Sequence, residues 1–125
     1  MFDAQLLFVG GDPITGIKVF SPWMPRRGDH MRATLEVAQI FGATIKVDVF
    51  TKNSEDTGDG TDADSVFATN IVSAAIGRTT QEWFSAGTVG LKEMIRYRYT
   101  VTGTTTAHWV LFRMLPLVWF DAVKA

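Results

Sequence analysis

The chain has 125 residues, no cysteine, and a formal net charge of −1 from 12 basic and 13 acidic side chains. That length supports one domain with its own apolar core. The missing thiols exclude disulfides, thiolate metal sites and cysteine nucleophiles, and the near-neutral balance gives no global field for nucleic acid or an anionic membrane.

Hydrophobic residues make up 46% of the chain and aromatic residues 12%, a composition suited to strands and protein interfaces. No secretory leader is expected, because Met1-Phe2-Asp3 lacks basic residues and Gly10-Gly11-Asp12-Pro13 ends the first apolar run early. Residues 109–120 form the longest apolar run, interrupted by Arg113 and Pro116. It is well short of the roughly 20 residues a spanning helix needs.

In chain order, residues 4–9 read as a short strand closed by the Gly-Gly-Asp-Pro turn, and residues 14–20 as a second strand. Residues 21–29 hold Pro22 and Pro25 around Trp23-Met24. Proline gives a ladder no donor, so this segment is expected on a sheet edge or outside the sheet. Met31, Ala33, Leu35 and Val37 alternate with Arg32, Thr34, Glu36 and Ala38, which makes residues 31–41 a strand. Ile45, Val47 and Val49 alternate with Lys46, Asp48 and Phe50 on the next strand. A hairpin through Phe41-Gly42-Ala43 is expected to join the two.

Residues 52–65 form a polar loop, after which residues 66–76 resume alternation up to Gly77, read as a stop. Residues 79–90 are ambiguous: Thr79-Thr80-Gln81-Glu82 has the form of a helical cap, whereas Gly87 and Gly90 bracket a loop. Ile95, Tyr97, Tyr99 and Val101 then share one strand face, opposite Met94, Arg96, Arg98 and Thr100. A Thr/Gly turn leads into residues 108–114, and the pair is expected to form a second hairpin. Pro116 breaks that strand before a last one over residues 117–120. Seven or eight strands at fairly regular spacing, without a repeat or domain boundary, predict an all-β, single-domain antiparallel β-sandwich over residues 1–125, with a jelly roll as one form.

Hard cations take several oxygen ligands. Glu55, Asp56, Asp59, Asp62 and Asp64 make the polar loop the candidate Ca²⁺ site. Residues 55–61 locally resemble the Ca²⁺ loops of EF-hand and dockerin modules. The likeness stops there, since Val66 stands at the twelfth position, where those loops carry a bidentate carboxylate, and the flanks read as strands. A Ca²⁺-assisted carbohydrate-binding module is the alternative reading, with Trp23 or Trp83 as a sugar platform.

Arg96-Tyr97-Arg98-Tyr99 mixes basic and stacking residues, but period-two geometry sends arginines and tyrosines to opposite faces, against direct nucleic-acid binding. The arginines are expected outside, facing Glu36 or Glu93 across strands. His30 and His108 are the only histidines. Neither falls in a hydrolase, zinc-protease or phosphate-loop motif, so no enzyme is expected. Arg27-Gly28-Asp29 reads as ordinary turn chemistry.

The strand over residues 109–120 is apolar on both faces, and a sandwich of this size has one interior. A second copy or a larger protein assembly is therefore expected to cover Trp109, Leu111, Leu117, Trp119 and Phe120, with Trp23 as a further contact. The function expected is that of a non-catalytic structural subunit. It would form a homo-oligomer or a capsid-like lattice, such as a virus or phage particle.

Overall fold

The computed structural model describes residues 5–10, 17–62, 71–84, 90–103 and 108–120. These residues hold eleven strand segments and no helix. In order they are β1 (Gln5–Gly10), β2 (Ile17–Phe20), β3 (Met24–Pro25), β4 (His30–Phe41), β5 (Ala43–Lys52), β6 (Thr61–Asp62), β7 (Ile71–Ser73), β8 (Gly77–Phe84), β9 (Met94–Gly103), β10 (His108–Met114) and β11 (Val118–Phe120).

They build two antiparallel sheets. In the first, β1 pairs with β10, β10 with β4, and β4 with β8. β11 pairs with residues 30–32 of β4 on the edge opposite β8, in line with β10. In the second, β2 and β3 lie end to end along one edge of β9, β5 lies along the other, and β6 and β7 share the far edge of β5. Counting end-to-end segments together, the outermost rung pairs with the last and each inner rung with its counterpart: β1 with β10, β2 with β9, β4 with β8, β5 with β6 and β7. This nested order is that of a jelly roll.

Neither expected hairpin exists. β4 lies in the first sheet and β5 in the second. One residue, Gly42, joins them at a left-handed φ of 57°, too short a link for the two-residue turns that return a strand beside itself. β9 and β10 likewise face each other across the core, with Tyr99 and Phe112 ring centroids 5.1 Å apart. At their junction, a Cβ on Gly103 would collide with the buried His108 ring. Alternation fixes which face each residue takes, but a hairpin and an arch between two sheets have the same alternation.

The core is made by the alternating sets expected. Met31, Ala33, Leu35 and Val37 of β4 meet Ile45, Val47 and Val49 of β5, Ile95, Tyr97, Tyr99 and Val101 of β9, and Val110, Phe112 and Met114 of β10. Full burial of one such aliphatic or Phe side chain contributes about 1.5–3 kcal/mol, so the inner faces hold the sheets together.

Two local readings change. Gly77, at φ 137°, opens a strand instead of stopping one, and of the expected strand over residues 66–76 only Ile71–Ser73 is seen, residues 66–70 lying outside the described set. The ambiguous segment supplies β8, which pairs with β4 from His30↔Phe84 to Val37↔Gly77. Trp83 on β8 is fully buried against the core.

Candidate interaction surface

The outer face of the first sheet is set by a bulge. Leu111 lies opposite Gln39 and Phe112 opposite Val37, so Ala38 is an extra residue in β4. A bulge shifts the strand's parity by one residue. Ile40 therefore joins the core side opposite Val110, while Gln39 and Phe41 face out beside Leu111 and Trp109. Phe41 and Trp109 stack at 6.3 Å between ring centroids with 21° between planes. Phe41 is 54% exposed, while Trp109 and Leu111 are half-buried. Beside β4, past the Val37–Gly77 pair, Ile76 is 66% exposed.

Along the same face, toward the other end of β4, the surface becomes polar and internally satisfied. Arg113 and Arg78 each donate through Nε to Glu36, at 2.8 Å to Oε1 and Oε2 respectively. These hydrogen bonds hold the Glu36 carboxyl below the usual glutamate range. The Thr34 and Thr80 hydroxyls are 2.9 Å apart. Arg32 Nε donates to Glu82 at 3.0 Å and His30 Nε2 lies 2.8 Å from the other Glu82 oxygen. Partial burial works to raise the Glu82 pKa, but these partners outweigh it and the net direction is down.

The six apolar residues expected at an interface fall into four environments. Trp109 and Leu111 face out beside Phe41. Leu117 and Trp119 are half-buried and pack on the core. Phe120 faces out but stacks on His30 at 4.2 Å, with the Arg32 guanidinium 5.5 Å from its ring centre. Trp23 belongs to the second sheet, where Lys52 Nζ and the Arg96 guanidinium lie 4.7 and 4.4 Å from its ring centre. A Cβ on Gly60 would strike the Trp23 ring, so the polar loop lies against that ring as well. The proline-flanked segment sits on the edge, as expected, with Met24–Pro25 beside β9.

Phe41 is the outward residue missed by the sequence reading. The signal was present: continued alternation after Val37 would place Gln39 in the core, and a one-residue slip instead places Ile40 there.

Within the polar loop, two of the five carboxylates, Asp56 and Asp59, bond to the chain itself. Asp56 Oδ2 accepts from the Asn53 amide at 3.1 Å, and Asp59 Oδ1 accepts from Arg96 at 3.2 Å. Lys52 Nζ caps the Asp56 and Gly58 carbonyls. Glu55 is exposed, Asp62 lies on β6 opposite Phe50, and Asp64 is outside the described residues. Among the described residues no three His, Asp or Glu side chains converge as a metal site.

Arg96 and Arg98 do face out and Tyr97 and Tyr99 in, but the arginines' partners are Asp59 and the buried Asp48, not Glu36 or Glu93. Arg98 reaches Asp48 Oδ2 at 2.6 Å and lies over Phe50, while Arg96 lies over Phe20 at 3.9 Å. Comparison with protein-family models, with curated proteins and with solved structures found no match to this chain.

Proposed function

We propose that the protein is a non-catalytic structural subunit that docks on other protein, a second copy first of all, through the outer face of the first sheet around Phe41, Trp109 and Leu111. One observation carries this reading: a stacked aromatic pair faces out at one end of a sheet whose other end is covered by ion pairs and ring contacts made within the chain. Stable interfaces bury about 800 Å² per partner around an apolar, aromatic-rich centre. Phe41, Trp109 and Leu111 supply such a centre, and the Gln39 amide beside them supplies a polar rim.

A coat or decoration protein of a viral particle fits by analogy, because jelly rolls serve in capsids. That step rests on fold alone. The same fold also serves lectins, but burial of Trp83 and the two cations over Trp23 leave neither ring as an open sugar platform.

Light scattering across a concentration series tests the proposal. A mass above the monomer that rises with concentration supports it. A monomer that stays monodisperse at the highest concentration contradicts it.

A further inference from the structure

A cavity of about 420 Å³ lies between the sheets where β3 faces the β10–β11 junction. It lies past the Gln5–Arg113 pair, where no described strand runs alongside Met114 or β11 on that edge. The chain crosses from β10 to β11 by a hydrogen bond from the Leu115 amide to the Thr34 carbonyl, at 3.0 Å, so the wall stays closed behind the gap. The lining includes Met24, Met114, Leu117 and Trp119, and it is mostly apolar. Thioether side chains adapt to varied shapes, and the volume falls within the roughly 300–1,000 Å³ of small-molecule pockets.

Two polar groups mark this gap as more than a packing defect. Tyr97 lines the cavity and is 2% exposed, and its enclosed hydroxyl has no hydrogen-bond partner among the described residues. A buried hydroxyl without a partner costs roughly 1–3 kcal/mol unless something supplies one. Burial also pushes its pKa up, so it remains a donor. Arg27, at the rim of the same cavity, is exposed and makes no ion pair among the described residues. An apolar bed, a buried donor and a cation at the mouth with no ion pair among the described residues match one kind of ligand.

We infer that this cavity binds a small amphipathic carboxylate, its apolar body between Met24, Met114, Leu117 and Trp119 and its negative charge drawn toward Arg27, with a small shift of the Tyr97 side chain opening its enclosed hydroxyl to donate to one oxygen. The site is separate from the docking face around Phe41, and the two proposals stand independently.

Decanoate, used below its micelle concentration, is the probe, with tryptophan fluorescence and calorimetry as readouts. Saturable binding to the intact chain is expected. Tyr97→Phe keeps the ring and removes only the unpartnered donor. It should melt at or above the wild-type temperature while decanoate affinity falls about three- to tenfold. Arg27→Ala should weaken decanoate but leave decanol unaffected. Leu117→Trp should fill the cavity and abolish binding. If that variant fails to fold, crosslinking by a diazirine-bearing decanoic acid to peptides carrying Met24, Met114 or Leu117 decides the location. Absence of saturable binding, or binding that Tyr97→Phe leaves unchanged and that crosslinks elsewhere, would overturn the inference.

Discussion

The outer faces of the two sheets are both rich in aromatic rings, and they dispose of them differently. On the second sheet Phe20, Phe50 and Trp23 lie beneath Arg96, Arg98 and Lys52. Those arginines are in turn anchored by Asp59 and Asp48. A guanidinium laid on a ring covers apolar area and gains about 0.5–2 kcal/mol from the ring's quadrupole. On the first sheet the same device covers Phe120, through Arg32, whereas among the described residues no cation lies over Phe41 and Trp109, which stack on each other. Aromatic content therefore does not identify a docking face. The distinguishing feature is whether the chain's own cations occupy the rings.

Removing the anchor should do most damage. Asp48 is fully buried between Arg98 and Lys46, so Asp48→Ala should cost about 2–4 kcal/mol in chemical denaturation, because its partners are left without their countercharge. A loss below about 1 kcal/mol would mean that the pair holds no ring cover in place. Arg96→Ala should cost about 1–2 kcal/mol. It should also uncover Phe20 and Trp23, making the second sheet resemble the first. The variant is expected to gain self-association by light scattering; an unchanged mass would break the contrast drawn here.

These faces were only partly legible in the sequence. Alternation placed Met31 to Val37, Ile45 to Val49, Ile95 to Val101 and Val110 to Met114 on the correct sides, because burial of one face forces period two. Strand partners were not legible. Both supposed hairpins are arches between sheets, and nothing within β4 and β5 or within β9 and β10 distinguishes the two arrangements except the single-residue link at Gly42. β8 was obscured because its buried positions include Gln81 as well as Trp83, so no apolar stripe announces it. Arg96 and Arg98 could be assigned a face but not a partner, since Asp59 comes from a loop and Asp48 pairs by a register that the sequence does not state.

A smaller effect separates the satisfied half of the first sheet from the half proposed to dock. The lowered Glu36 pKa means that its ion pairs stabilise the fold fully above the ordinary glutamate pKa. That contribution is lost as pH falls through the lower, folded value. Glu36→Gln should therefore melt below wild type at neutral pH, with the difference narrowing on acidification. Thermal melts from about pH 7 to pH 3 would check this, and a gap that widens toward acid would contradict it.

The smallest change in stability should accompany the largest change in association. Sedimentation velocity on Phe41→Glu beside the wild type, with melting temperatures recorded on the same samples, is the most direct measurement. Phe41 is more than half exposed, so the substitution should alter stability by less than about 1 kcal/mol. The wild type is expected to sediment as an assembly and Phe41→Glu as a folded monomer. Identical sedimentation of the two, with both folded, would remove the outer face of the first sheet as the place where this protein meets its partner.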